Sequence, residues 1–431
     1  ERLQRVVVAD MACGSGNFLI LAYKELRWLE MEAFKALDAL GKQNTMFMSG
    51  IRLTQFYGVE IDDFAHETAL LSLWLAEHQM NRAFREEFGD APPTLPLRSG
   101  ANIELRNALQ MDWAEFLPSD DSSEVYICGN PPFSGHGNRS DEQLSDMKNV
   151  LSPAIRNYKS LDYVACWFVK SSDFAASRSA EIALVATNSI SQGKQPGLIW
   201  PYVFSKELSI HFAYQTFSWK NLARDNAGVH VVIIGLSAKQ QAALLYRQID
   251  NQWHCNQVSS ISPYLVEGRE VVVRERRKPF RQANPMLFGN MPNDGGFLLL
   301  NSAEKDRLLE EEPRSEHWLK RLLGSDEYLN GKERWCLWLK GISQQELDEM
   351  PLVKNLVTKV REQRLESKDA GTRKLAERPH EFRDLNNPDS FILVPSVTSE
   401  RREYAPVGFF GSDVISTNLN QIIPNGTYYE F

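Results

Sequence analysis

The stretch Val6-Val-Val-Ala-Asp10-Met-Ala-Cys-Gly14-Ser-Gly16-Asn-Phe18 decides the fold. Its apolar start reads as a buried strand ending at Asp10, and the two glycines let the backbone turn tightly and approach a ligand closely. Apolar residues then recur at helical spacing (Leu19, Leu21, Ala22, Leu26, Leu29, Ala33, Leu37) as far as about residue 40. A strand, a glycine-rich turn and a helix leave free N–H groups at the helix start, donors for something anionic or polar. Alone, the same turn fits an ordinary tight connection in a parallel sheet, where glycine serves a steric need only.

The next segments narrow the choice. Phe56-Tyr-Gly-Val-Glu60-Ile61 is a second buried run with an acid near its end, where nucleotide folds accept hydrogen bonds from ribose hydroxyls. A helix over 64–88 and the proline-rich loop Ala91-Pro-Pro-Thr-Leu-Pro96 follow. Leu109-Gln-Met-Asp112 then puts another acid at an expected strand end, and Val125-Tyr-Ile-Cys-Gly-Asn130-Pro-Pro-Phe133 places Asn-Pro-Pro-Phe at the exit of a fourth strand. Ligand sites in open α/β sheets lie at the carboxyl ends of strands, so Asp10, Glu60, Asp112 and Asn130 are expected on one rim. By itself Asn-Pro-Pro-Phe also fits a plain turn after a strand.

Together, residues 10–18 and 130–133 resemble the cofactor and catalytic motifs of DNA methyltransferases that use S-adenosylmethionine to methylate exocyclic amines. The resemblance implies that Asp10, Ala12, Cys13, Gly14 and Gly16 line the methionine part of the cofactor. It further implies that Glu60 holds the ribose, Ile61 packs on the adenine ring and Asp112 meets the cofactor's adenine amine. Asn130 and the Pro131 carbonyl would accept the two hydrogens of the target amine, while Phe133 stacks on a base flipped from the duplex. The prolines stiffen this loop. Methylation of a cytosine carbon needs a thiolate nucleophile in a Pro-Cys context, which the sequence lacks; Cys128 reads as small core packing.

The order of cofactor motif, catalytic motif and large C-terminal region is that of the gamma class. Further segments are similar to the Type IIL (MmeI-like) restriction-modification proteins: Ser134-Gly-His-Gly, Glu142-Gln143, Asp146-Met147, Leu161-Asp-Tyr-Val-Ala-Cys-Trp-Phe, Ala186-Thr-Asn-Ser-Ile-Ser-Gln-Gly193, Thr216-Phe-Ser-Trp219, Val229-His-Val-Val-Ile-Ile-Gly235 and Val394-Pro-Ser-Val-Thr-Ser-Glu-Arg-Arg402. The implied fold is α/β: a Rossmann-like S-adenosylmethionine-dependent methyltransferase domain over 1–245 and a mixed α+β target-recognition domain, incomplete, over 246–431. Double-stranded DNA is the implied partner. Phosphate contacts are expected from the basic stripe at 268–281, including Arg276 and Arg277, and from 354–378. Arg401 and Arg402 are candidates for pairing with guanine. A merely solvated face fits each basic run equally, as core burial fits Phe217 and Trp219 as well as a pocket wall does. His136 reads as a solvated loop residue rather than a DNA contact.

Related proteins carry an N-terminal nuclease with a P-D…E-x-K metal site and a spacer. No such spacing occurs here, and only nine residues precede Asp10, so the sequence predicts part of a longer protein, without metal, unable to cut DNA and binding cofactor weakly.

At 431 residues, two or three domains are expected. With 43% hydrophobic and 24% charged residues, disordered, collagenous and coiled-coil classes are excluded. No apolar run reaches the roughly 18 residues of a membrane span. Five scattered cysteines without a C-x-x-C pair favour reduced thiols in a cytoplasm over disulfides or zinc. The net charge of −8 speaks against a polyanion partner only as an average, since basic stripes survive within it. The leading reading is site-specific adenine methylation of DNA. Its rivals are methylation of RNA or a protein glutamine, and a DNA-recognition fragment without turnover.

Overall fold

The structure is a computed structural model and describes residues 1–40, 48–89, 100–118, 122–135, 137–219, 229–239, 242–276, 283–399, 402 and 404–431. His136, Arg277, Arg401 and the proline-rich loop lie outside the described residues. The chain forms two compact units, Glu1–Glu275 and Arg276–Phe431.

Parallel strands buried on both faces require apolar side chains in both directions, and β1 (Val6–Asp10) is buried at every position. Val7 and Ala9 enter one core while Val6 and Val8 enter the other. Beside β1 run β2 (Phe56–Glu60) and β3 (Asn102–Leu105) on one side, β4 (Glu124–Gly129) and β5 (Glu181–Thr187) on the other. All five are parallel. β7 (Val229–Ser237) then inserts antiparallel between β5 and β6 (Ser209–Trp219). The strand order reverses between β1 and β4, which makes their carboxyl ends the switch point where α/β sheets bind ligands.

α1 (Asn17–Ala39) and α2 (Asp63–Phe88) pack over the β1–β2 side. Asp62 caps α2 by accepting the Ala65 N–H, and Gly89 ends it in the left-handed conformation. The other core gathers the short α3 (Trp113–Phe116), α4 (Asp141–Leu151), α5 (Ala165–Arg178) and α6 (Pro196–Phe204).

The helix–strand alternation ends earlier than the expected 245, since only strands are described in the first unit after α6, and the compact unit itself runs on past 245. β8 (Ala243–Ile249) pairs parallel with β6, and β9 (Gln252–Val258) extends the same sheet. The edge strands bury Ala243, Leu245 and Val258 in the first core, which is why this unit reaches Glu275.

The second unit holds two four-stranded sheets among its described residues. One joins Leu287–Phe288, Asn420–Pro424, Ser390–Pro395 and Gly408–Gly411; the other joins Leu299–Leu300, Trp335–Leu337, Leu319–Leu323 and Val414–Ser416. The helix Pro351–Leu365 packs Val353, Val357 and Val360 into the core of this unit.

Candidate active site

The turn after β1 is built by its glycines. Gly14 and Gly16 have φ of 53° and 83°, left-handed values that other residues adopt at a cost. A Cβ on Gly16 would lie 3.2 Å from that of Ala69, so glycine also lets α2 pack close. A Cβ on Gly14 would meet nothing within 4 Å, so open space lies before this turn.

Glu60 closes the turn from β2. One carboxylate oxygen accepts the Gly14 N–H at 2.8 Å, and the other accepts those of Ile61 and Asp62 at 2.8 and 2.9 Å. Cys13 is buried and its N–H donates to the Val59 carbonyl. Ile61 and Phe64 are 70% and 81% exposed just beyond Glu60, apolar surface free to cover a ring.

Asp10 ends β1 only 1% exposed and accepts the Ala12 N–H at 3.1 Å. Burial pushes its pKa from 3.8 to about 7; the Ala12 N–H opposes the rise and the nearby Glu60 charge adds to it. Across the switch point, Gly129 ends β4 directly against the Asp10 carboxylate. Asn130 follows, and its Oδ1 is buried without a hydrogen-bond partner. Pro131 is buried, Pro132 exposed and Phe133 half-buried against the core.

The structure thus brings Asp10, Ala12, Cys13, Gly14, Gly16, Glu60, Ile61, Asn130, Pro131 and Phe133 to the carboxyl ends of β1, β2 and β4. It does not place Asp112 at a strand end. β3 stops at Leu105, a 3-10 turn covers Ala108–Gln110, and Asp112 caps α3 by accepting the Ala114 N–H. There it lines a cleft with Trp113, Lys170 and Asp173. Two residues past the end of β3, Asn107 accepts the Leu109 N–H and donates to Asp146.

Asp146 and Asp162, which the sequence reading quoted within the family resemblance but gave no role, are both buried near the rim. Asp146 accepts from Asn107, Gln110 and the Tyr163 hydroxyl. Trp167 donates its ring N–H to the Met11 carbonyl, tying α5 to the β1 turn. A buried acid inside an otherwise apolar helix entry, Leu161-Asp-Tyr-Val, was the available signal.

In the second unit Arg276 and Arg402 are exposed. Arg364, within the basic segment expected to meet phosphate, is instead fully buried and donates to the carbonyls of Pro292, Asn293, Leu375, Arg378 and Glu381. Lys354 pairs with Asp348 and Arg378 with Glu381.

Comparison with known proteins agrees with this layout. The model of the MmeI DNA-methyltransferase domain matches residues 1–247, and that of the MmeI target recognition domain matches residues 267–431. DNA methyltransferase A of Bacillus subtilis (strain 168) is 40% identical over 431 residues, 99% of this chain and 48% of that protein. The Type IIL restriction-modification enzyme MmeI, solved in complex with DNA, superposes with a TM-score of 0.82 at 37% identity, over 99% of this chain and 57% of its own. The chain therefore spans about half the length of these relatives. Both domain models match in the order that the two compact units follow, and the chain belongs to the MmeI family, with a DNA-methyltransferase domain followed by a target recognition domain.

Proposed function

We propose that the first unit transfers a methyl group from S-adenosylmethionine to the exocyclic amine of an adenine in double-stranded DNA, and that the second unit selects the site. The observation that carries this reading is the buried, unpartnered Asn130 Oδ1. A buried acceptor left without a donor is costly, and an amine arriving at the rim supplies one.

An adenine amine is a weak nucleophile because its lone pair is delocalised into the ring. Acceptors at the Asn130 side chain and the Pro131 carbonyl engage both amine hydrogens and favour a pyramidal nitrogen. The work of the protein is then orientation and electrostatics, with no covalent intermediate. Phe133 offers a face on which a base swung out of the duplex stacks.

The residues of the β1 turn fit S-adenosylmethionine. The open space before Gly14 admits a ligand, and the Glu60 carboxylate that closes the turn suits one carrying hydroxyls and positive charge. S-adenosylmethionine supplies a methyl group on a sulfonium cation. Ala12, Cys13, Gly14 and Gly16 would hold its amino-acid end, Glu60 its ribose, and Ile61 its ring. Arg276, Arg277, Arg401 and Arg402 are the proposed DNA contacts of the second unit.

The test is transfer from labelled S-adenosylmethionine to adenine-containing duplexes by the full-length protein, with Asn130→Ala as control. Label in protein rather than DNA supports glutamine methylation, and tight duplex binding without transfer supports a recognition role alone. Sequencing modified adenines in the host genome reports activity and site together.

A further inference from the structure

The segment 130–133 is a short strap with few means of holding itself in place. Two of its four residues are prolines, which have no N–H to donate. Its direction therefore depends on its ends. The leading end is fixed by the pairing of β4 with β1 and β5 and by the contact of Gly129 with Asp10.

The trailing end is Ser134, and both of its backbone groups point into one buried turn. Its N–H donates to Asp162 Oδ1 at 2.9 Å. Its carbonyl accepts from the Tyr163 N–H at 3.2 Å and from Arg139 Nε at 3.1 Å. Arg139 reaches on to the carbonyls of Lys159 and Leu161, so the same guanidinium holds the strap and the turn together.

Asp162 is 4% exposed. Its Oδ2 accepts the Thr187 hydroxyl at the end of β5 at 3.1 Å, and its backbone N–H donates to Gln195 Oε1 at 3.0 Å. Its Oδ1 also accepts the Val164 N–H at 3.3 Å, a local bond that by itself would need neither Ser134 nor Thr187. The carboxylate instead joins the exit of β4 to the exit of β5, two strands whose ends flank the candidate site.

We propose that Asp162 is a positioning residue for methyl transfer: through Ser134 it sets the direction in which Asn130 Oδ1 and the Pro131 carbonyl face the amine. The inference rests on the methyltransferase reading given above. Asp162 touches no reacting atom, so its loss acts on the rate of the chemical step rather than on the binding of cofactor or duplex.

The experiment uses the full-length protein, labelled S-adenosylmethionine and a duplex carrying the site found by sequencing. Asp162→Ala is expected to lower kcat about 10- to 100-fold, the scale of a misplacement near 1 Å, with KM for both substrates nearly unchanged. Asp162→Asn keeps an acceptor for the Ser134 N–H and a donor for Thr187 Oγ, and is expected to restore most of the rate. Thr187→Val cuts only the tie to β5 and is expected to fall between them. Leu236→Ala, a buried change on β7 beside Ile182, at the opposite end of β5 from Thr187, serves as a stability control that keeps kcat. The inference is overturned if Asp162→Ala keeps the wild-type kcat, if Asp162→Asn is no better than Asp162→Ala, or if Leu236→Ala at a comparable loss of Tm lowers kcat as far as Asp162→Ala does. Should Asp162→Ala not fold, Thr187→Val and Asp162→Asn decide the matter by the same criteria. A wild-type protein that methylates no DNA overturns the methyltransferase reading itself, an outcome distinct from those three.

Discussion

The Asp10 carboxylate lies against the Cα of Gly129, so closely that a Cβ at residue 129 would sit 2.5 Å from Asp10 Oδ1. The last residues of β1 and β4 thus meet where the strand order reverses. Gly129→Ala must push the carboxylate away from the Ala12 N–H or move β4, and Asn130 moves with β4. A stability loss of about 1–3 kcal/mol is expected from such overpacking. Methyl transfer is expected to fall by about tenfold or more as the loop shifts. Thermal unfolding and labelled transfer measure the two effects separately.

Asp10 also gives the fold a pH dependence. Its folded pKa is raised from 3.8 to about 7, so the folded state holds this proton more tightly than the unfolded chain does. The contribution to stability is therefore complete below pH 3.8, declines as pH rises through about 7, and is lost above. Asp10→Asn removes the titration. The Tm of the variant relative to wild type is expected to climb by several degrees between pH 4 and pH 8; a gap that stays constant over this range would contradict the burial of an ionisable Asp10.

Asn130 separates activity from stability. Because Oδ1 has no partner in the folded protein, Asn130→Ala gives up no hydrogen bond at that atom, and a Tm close to that of wild type is expected. On the proposed reading the same change removes the acceptor for the target amine, for which a loss of about 100- to 1,000-fold in kcat is the expected scale. A large drop in Tm would show that the side chain serves the fold instead.

Much of the rim could be read from the sequence because each strand there ends in its own punctuation. Asp10 before Gly14 and Gly16, Glu60 after an apolar run, and Asn130 before two prolines mark the exits of β1, β2 and β4 without reference to distant residues. Asp112 misled because Leu109-Gln-Met looks like a strand, whereas β3 had already ended at Leu105 on the half-buried run Asn102-Ile-Glu-Leu. Asp162 and Asp146 were hidden for another reason. Apart from the Val164 N–H, the groups that bond to their carboxylates lie between 17 and 39 residues away, and only the folded chain brings them together. The compact unit runs on past the methyltransferase match because β8 and β9 join its sheet through pairing with β6 and with each other, which no change in composition announces.

Glu60 faces three backbone N–H groups, and the charge of its acceptors is matched to them. Glu60→Gln necessarily turns an NH2 donor toward at least one of those donors. The turn before α1 then opens, and the KM for S-adenosylmethionine is expected to rise by about tenfold, the scale of a lost hydrogen bond to a charged group. Duplex binding in the absence of cofactor is expected to remain as in wild type. A cofactor KM that does not change would show that Glu60 neither shapes the turn nor meets the ribose.

Two arginines of the second unit are expected to fail in different ways. Arg364 donates to five backbone carbonyls and is wholly removed from solvent, so it joins 292–293 to 375–381 and has no surface to offer a phosphate. Arg364→Ala leaves those carbonyls unpaired in the interior, at about 1–3 kcal/mol for each group that finds no water, and is expected to unfold the recognition unit. Arg402 is exposed. If it meets DNA, Arg402→Ala keeps Tm, weakens duplex binding and lowers the slope of log affinity against log salt by about one. Loss of binding in Arg364→Ala should instead parallel the loss of fold, with the fraction that stays folded retaining the wild-type salt slope. Equal slopes for Arg402→Ala and wild type would remove Arg402 from the phosphate contacts, while a reduced slope in a well-folded Arg364→Ala would mean that the buried arginine reaches DNA after all.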